Sequence, residues 1–233
     1  MTVSIHLGVR CLAATKAVLF DLYGTLAYQD NPVTNEEVSE YLFRRDCEVS
    51  PQQLGAAIAF VAFIDYPRHG YRDWRHFLSR VSWRLGTKID EETLSHIVGL
   101  YESRPYRLYP DAADAVISAG KSGLRTAIIT TGTRFIAEKA IEPIREHFDL
   151  VMTGFEAGCD KSNPKMYLKA LEMLKIKPQE AFVVGDDFQL DFLIPKRLGM
   201  KAVLLDREGK SKNKTITALA HNLYEAIEFI MRQ

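Results

Sequence analysis

Cysteine is scarce in this chain: Cys11, Cys47 and Cys159 are far apart, odd in number and in no CxxC spacing. That argues against a disulfide framework and against a thiolate zinc site, and leads to the expectation of a reducing, cytoplasmic setting. An excess of charge is missing too, with 30 Lys and Arg against 30 Asp and Glu. No broad basic surface for nucleic acid and no polybasic segment for a membrane is therefore expected. No run approaches the roughly 18 uninterrupted apolar residues of a spanning helix. The stretch from Met1 to Ala14 is broken by His6 and Arg10, so it reads as an extension packed on the core rather than a signal peptide. Repeats and low-complexity tracts are lacking. Glu208 to Thr215 (EGKSKNKT) is polar enough for a mobile loop, with Lys210, Lys212 and Lys214 in solvent.

What is present suits a soluble globular protein: 233 residues, 47% hydrophobic and 26% charged, enough to bury a sizeable core. Four short apolar runs stand out, Ala17 to Phe20, Thr126 to Ile129, Ala181 to Val184 and Lys201 to Leu205. Continuous runs of this length suit strands buried on both faces of a parallel sheet. Between them lie helical patterns at Ala112 to Gly120, Arg134 to Phe148, Pro164 to Leu174 and Asp191 to Leu198. The alternation predicts an α/β fold with a doubly wound, Rossmann-like parallel sheet. About a hundred residues separate the first two runs, far more than a crossover needs. Asn35 to Arg44, Pro51 to Phe63, Trp74 to Leu85 and Glu91 to Tyr101 have helical spacing, and no convincing alternating strand intervenes. The expectation is a core of residues 1–27 and 106–233 and an inserted all-helical domain of residues 28–105, hinged near Ala27 to Asn31 and Tyr106 to Pro110.

Open α/β sheets build their sites at the carboxyl ends of strands, and the first three runs each end in polar groups there. The first gives Asp21-Leu22-Tyr23-Gly24-Thr25, a carboxylate at a strand tip before a glycine turn, placed to act as a nucleophile. The second gives Thr130-Thr131-Gly132-Thr133, whose hydroxyls and free backbone N–H groups before a helix could hold an anion. Lys161 follows on a loop, with Pro164 suited to the first turn of the next helix. The third gives Gly185-Asp186-Asp187 and then Asp191. Converging carboxylates are costly without positive charge among them, and ligands that are all oxygen favour a hard cation such as Mg2+. The implied chemistry is covalent, with Asp21 attacking a phosphoryl group and water hydrolysing the acyl-phosphate.

These motifs, in this order, resemble those of the haloacid dehalogenase (HAD) superfamily: Asp-x-x-Gly-Thr at Asp21, Gly24 and Thr25; a hydrophobic strand ending in Thr130; Lys161 before the Pro164 helix; and Gly185-Asp186 followed by Asp191. The helical insert resembles the family's cap, and Tyr109-Pro110-Asp111-Ala112 its return to the core. The resemblance implies a Mg2+-dependent hydrolase with Asp21 as nucleophile, Thr130 as a ligand of the transferred group and Lys161 as charge stabiliser. It also implies Asp186 and Asp191 as metal ligands or their supports, with Asp187 able to ligate and the backbone carbonyl of Tyr23 facing the metal. Tyr23, Thr131 and Gly132 would meet the substrate, expected to be a small phosphate ester. The protein is expected to be a monomer or a homodimer.

One residue departs from the pattern of the family's phosphatases. They carry a second Asp two residues after the nucleophile as general acid and base, where this chain has Tyr23. Asp-x-Tyr-Gly-Thr resembles the metal-independent L-2-haloacid dehalogenases, which keeps dehalogenation as a rival, beside a weakly active or non-catalytic interaction protein. Against dehalogenation, this chain has Thr130-Thr131 where those enzymes have Ser-Asn, retains the acidic residues, and has no arginine from Gln52 to Phe63. Other residues receive plainer readings. The aromatic and basic cluster Tyr66 to Phe77 suits buried faces of cap helices, with substrate contact as the alternative. His69 and His76 lack a second ligand pattern, and Cys11 and Cys159 read as packing residues.

Overall fold

The structure, a computed structural model, describes residues 14–211, 216 and 218–233. Cys11, Lys212, Lys214, the N-terminal extension and the middle of the 208–215 loop lie outside the described residues.

In chain order the elements are β1 (Ala17–Phe20), β2 (Ala27–Tyr28), α1 (Asn35–Phe43), α2 (Pro51–Phe60), α3 (Tyr66–His69), α4 (Trp74–Leu85), α5 (Glu91–Ser103), β3 (Arg107–Leu108) and α6 (Ala112–Lys121). They continue with β4 (Arg125–Ile129), α7 (Arg134–Ile141), β5 (Leu150–Met152), α8 (Gly154–Ala157), α9 (Lys165–Leu174), β6 (Ala181–Gly185), α10 (Ile194–Arg197), β7 (Lys201–Leu205), β8 (Leu219–Ala220) and α11 (Leu223–Met231). Six strands form one parallel sheet in the order β5-β4-β1-β6-β7-β8. β1 sits between β4 and β6, in register Phe20 to Ile128 and Phe20 to Val184, so the polar tips of three strands lie side by side.

The period of two along β1 supplies both faces of the core. Val18 and Phe20 join α6, α7 and α11 through Val116, Ile141 and Ile227. Ala17 and Leu19 join α9 through Met166, Tyr167 and Leu171 on the opposite face. The α/β sheet expected from the alternation of runs is therefore the observed one. The edge strands β5 and β8 and the helix α11 lie beyond the four predicted runs.

Residues 35–103 are helical and have their own apolar cluster, including Leu42, Leu54, Val61, Phe77, Val81 and Ile97. Side-chain caps begin α1, α2, α4 and α5 at Thr34, Ser50, Asp73 and Asp90, each accepting the N–H three residues on. Where the segment leaves and rejoins the sheet, β2 and β3 pair antiparallel, Ala27 with Leu108 and Tyr28 with Arg107. Two expected helices are modified by proline. The one after Arg134 tightens at Glu142 into a 3₁₀ stretch around Pro143, and α2 runs through a π-helical turn at Val61–Asp65 into α3 with its Pro67. No helix among the described residues is long and apolar enough to cross a membrane.

Candidate active site

Asp21 is the first residue past β1, yet its N–H still donates to the Val184 carbonyl at 2.8 Å, so its backbone is fixed by the sheet. The chain then turns sharply: Leu26 and Ala27 both donate to the Leu22 carbonyl, and Gly24 donates to Ala27. Gly24 has φ +83°, and a Cβ there would run into the Asp186 carboxylate. The glycine therefore permits both the turn and the approach of the β6 tip. Thr25, fully buried, turns its hydroxyl toward Asp186 at 3.5 Å.

Asp21, Asp186 and Asp191 converge, each offering a carboxylate oxygen within 4.8 Å of the others. Lys161, 2% exposed, enters from the loop before α9 and pairs with both Asp21 and Asp191, the latter at 2.5 Å. Burial pushes the Asp21 carboxyl above its ordinary range; Lys161 pulls it back only in part, and Asp186 adds to the rise. Asp191 is raised to about 6, by burial first and by Asp21, against the pull of Lys161. Burial would depress Lys161, but Asp21 and Asp191 together outweigh it and hold the ammonium charged. Three carboxylates against one ammonium leave a surplus of two negative charges. A divalent cation would neutralise that surplus, and an all-oxygen donor set fits a hard one.

The β4 tip faces this cluster. Thr130 is fully buried, its N–H bound to Met152 and its hydroxyl accepting from the Gly132 N–H at 3.1 Å, which leaves the hydroxyl proton free to donate. A Cβ at Gly132 would collide with the Tyr23 ring, so glycine is what allows the β1 and β4 loops to close together. Tyr23 packs on Tyr106 at 4.4 Å between ring centroids, and its buried hydroxyl has no hydrogen-bond partner among the described residues. Burial, then Tyr106 and Asp21, drive its pKa well above 10. The phenol stays neutral and is a poor base at neutral pH.

One sequence assignment needs correction. Asp187, expected as a possible metal ligand, turns away from the cluster and caps the π-helical turn Phe188–Leu193, accepting from Gln189 and Leu190 at 2.8 Å each. Three successive N–H groups at a helix start need an acceptor, and Asp187 satisfies two of them. That same turn carries Asp191 inward, where the expected helix from Asp191 to Leu198 begins instead as part of Phe188–Leu193 and continues as α10.

Two contributors were not singled out from sequence. Tyr167 on α9 donates its hydroxyl to Leu190 at 2.9 Å and to Asp191 at 3.2 Å. Its place in the buried stripe Met166, Tyr167, Ala170, Leu171 and Leu174 was the available signal, because a buried tyrosine hydroxyl needs a partner. Arg207 forks onto Asp111 at 2.9 and 3.0 Å and also donates to the Thr25 carbonyl, tying the β1 turn to the far side of the sheet. The aromatic cluster divides: Tyr66 bonds Thr153 and the Arg134 N–H of the core, whereas Trp74 and Phe77 line a cavity above Tyr23. His69 lies 3.5 Å from Asp65, and His76 packs edge-on against Tyr71.

Residues 15–199 match the haloacid dehalogenase-like hydrolase family. The chain is 28% identical over 206 residues to a glyceraldehyde 3-phosphate phosphatase of Methanopyrus kandleri, covering 84% of this chain and 85% of that protein. It is 33% identical over 108 residues to a phosphoserine phosphatase of Thermus thermophilus, a match that spans 46% of this chain and only 43% of that protein's length. Among solved structures, a HAD phosphatase from Thermococcus onnurineus superposes with a TM-score of 0.66 at 23% identity, covering 93% of this chain and 98% of the other. A 2-haloacid dehalogenase from Pseudomonas syringae pv. Tomato DC3000 superposes with a TM-score of 0.69 at 21% identity, covering 94% and 99%. The two superpositions speak for the fold alone, but with the family match over most of the chain they lead to one conclusion: this protein is a hydrolase belonging to the haloacid dehalogenase-like family.

Proposed function

We propose that this hydrolase is a Mg2+-dependent phosphatase of a small phosphate ester, with Asp21 as nucleophile. The observation that carries the reading is the convergence of Asp21, Asp186 and Asp191 around the buried ammonium of Lys161, with two negative charges in excess. Asp21, Asp186 and Asp191 would hold the ion, which when bound supplies a Lewis acid beside the phosphoryl group. The phosphatase names of the Methanopyrus and Thermus relatives favour the same chemistry.

In this reading an Asp21 oxygen forms a bond to phosphorus as the bond to the ester oxygen breaks. The alcohol departs with that electron pair and takes a proton from water. A water molecule then attacks phosphorus, the Asp21 oxygen–phosphorus bond breaks, and inorganic phosphate leaves with the carboxylate restored. Lys161 offsets charge on the transferred group, and the Thr130 hydroxyl, held by the Gly132 N–H, orients it together with the Thr131 N–H. Residues 28–105 act as a cap over a core of residues 1–27 and 106–233, so that water is excluded while the acyl-phosphate forms.

Phosphate release from p-nitrophenyl phosphate, with and without Mg2+, tests this. Release that needs Mg2+ and falls at least a thousandfold in Asp21→Asn is expected; release that persists in Asp21→Asn sinks the assignment of the nucleophile. The second reading, hydrolytic dehalogenation, is favoured by Tyr23 but leaves the surplus carboxylate charge without a purpose. Chloride release from 2-chloropropionate in the presence of EDTA would establish it instead.

A further inference from the structure

Between the cap helices and the tips of β1 and β4 lies a cavity of about 390 Å³, within the range of small-molecule sites. Tyr23, Thr131 and Gly132 form the side of it next to Asp21 and Thr130, while Ile58, Phe63 and Trp74 wall it from the cap. No Asp, Glu, Lys, Arg or His lines it among the described residues. Cationic residues, Arg72, Arg104 and Lys139, line an adjoining cleft of about 110 Å³ that shares Gln29, Trp74, Tyr101, Tyr106 and Ile136 with the cavity.

We propose that this cavity receives the leaving group of the ester and that the enzyme therefore hydrolyses phosphate monoesters of apolar aromatic alcohols. The inference rests on the phosphatase reading above and narrows its substrate. A leaving group carrying a carboxylate or an ammonium would lose its water there and find no charged partner. A flat ring meets flat walls: Trp74 stacks on Tyr101 with centroids 4.4 Å apart and planes 27° apart, and Tyr23 leans on Tyr106. Gln29, Asn35 and Thr131 add uncharged polar groups to the wall, able to orient a ring substituent.

The missing carboxyl group has a chemical consequence as well. When the Asp21 oxygen–phosphorus bond forms, the pair from the breaking ester bond goes to the leaving oxygen, and no carboxylic acid lines the cavity to protonate it. A phenol, with a pKa of about 10, can leave as the phenolate and take its proton from water afterwards. An alkanol needs that proton during departure. Uncharged, largely aromatic walls and the absence of an acid therefore select the same class, unlike the phosphoserine and glyceraldehyde 3-phosphate for which two relatives are named.

The test is initial-rate phosphate release in Mg2+ from phenyl phosphate, 1-naphthyl phosphate, O-phosphoserine, glyceraldehyde 3-phosphate and acetyl phosphate. The last is a compact donor that needs no cavity. The two aryl esters should exceed phosphoserine and glyceraldehyde 3-phosphate at least a hundredfold in kcat/KM. Ala62→Phe, which fills the cavity from the cap side, should lower the ratio of naphthyl to acetyl phosphate turnover at least tenfold. Phosphoserine or glyceraldehyde 3-phosphate matching the aryl esters overturns the inference and leaves the phosphatase reading standing. An equal loss on naphthyl and acetyl phosphate in Ala62→Phe overturns the seating of the leaving group. Silence toward all five donors, acetyl phosphate included, overturns the phosphatase reading and the inference with it.

Discussion

Lys161 illustrates how much a single side chain carries. It is the only cation in contact with Asp21 and Asp191 among the described ion pairs, and burial leaves all three without water to screen them. Removing one partner of such a group strands the others, so Lys161→Met should cost about 3–5 kcal/mol in EDTA at pH 7.5. Asp21 and Asp191 already bind protons more tightly folded than unfolded, which means stability is lost as pH rises through their folded pKa values. Without Lys161 those pKa values climb further, so the destabilisation should be clearly smaller at pH 5 than at pH 7.5. Urea unfolding at the two pH values measures it, and equal losses at both would contradict the electrostatic account.

At the scale of elements, the helical segment 35–103 is joined to the elements around the sheet by more than its two connections. Tyr66, on α3, is buried against the start of α8, where its hydroxyl meets Thr153 at 2.9 Å and accepts from the Arg134 N–H at 2.7 Å. Arg134 in turn binds Glu156 and Glu138 at 2.6 Å and the Val151 carbonyl at 2.7 Å, so the first turn of α7 is held from three sides. Tyr66→Phe keeps the ring and orphans the Arg134 N–H, which should destabilise the protein by about 1–3 kcal/mol in chemical denaturation. α7 follows directly on Thr130 to Thr133, so phosphate release should fall more than a loss of folded protein explains. An unchanged kcat in the folded fraction would show that this latch does not support the site. The element also shows where sequence reading stops: helical spacing over Pro51 to Phe63 and Arg134 to Phe148 did not reveal the π turn after Phe60 or the 3₁₀ turn after Ile141, because these differ from an α turn only in which carbonyl each N–H reaches.

For the molecule as a whole, the proposed metal binding ties the negative surplus at the strand tips to the response to pH. With Asp191 raised to about 6, above its ordinary 3.8, the metal-free fold carries a proton that the unfolded chain releases. Its stability contribution is full below about pH 4 and is lost as pH climbs through 6. A cation must displace that proton, so the rise in Tm caused by millimolar Mg2+ should be larger at pH 7.5 than at pH 5, and small in Asp191→Asn at both. A thermal shift independent of pH would count against binding at this cluster. Much of this architecture was legible beforehand. The four buried runs gave the central strands because only a sheet covered on both faces tolerates them, and β1, β4 and β6 ended where their polar tips required. β5 and β8, three and two residues long, carry too little pattern to announce themselves. α11 did have its signal, Asn222 accepting from Glu225 ahead of an apolar stripe. Asp21, Lys161, Asp186 and Asp191 were picked out from the sequence, and the fold brings their side chains together. The sequence by itself determined the layers and the acidic and basic residues available to the strand tips, because burial period and residue chemistry are local properties. Only the tertiary structure decided that Asp187 caps a turn while Asp191 reaches inward, that Tyr23 and Tyr106 pack together, and that helices of residues 35–103 wall an uncharged cavity beside them. Those outcomes depend on which distant side chains compete for the same space and the same hydrogen bonds.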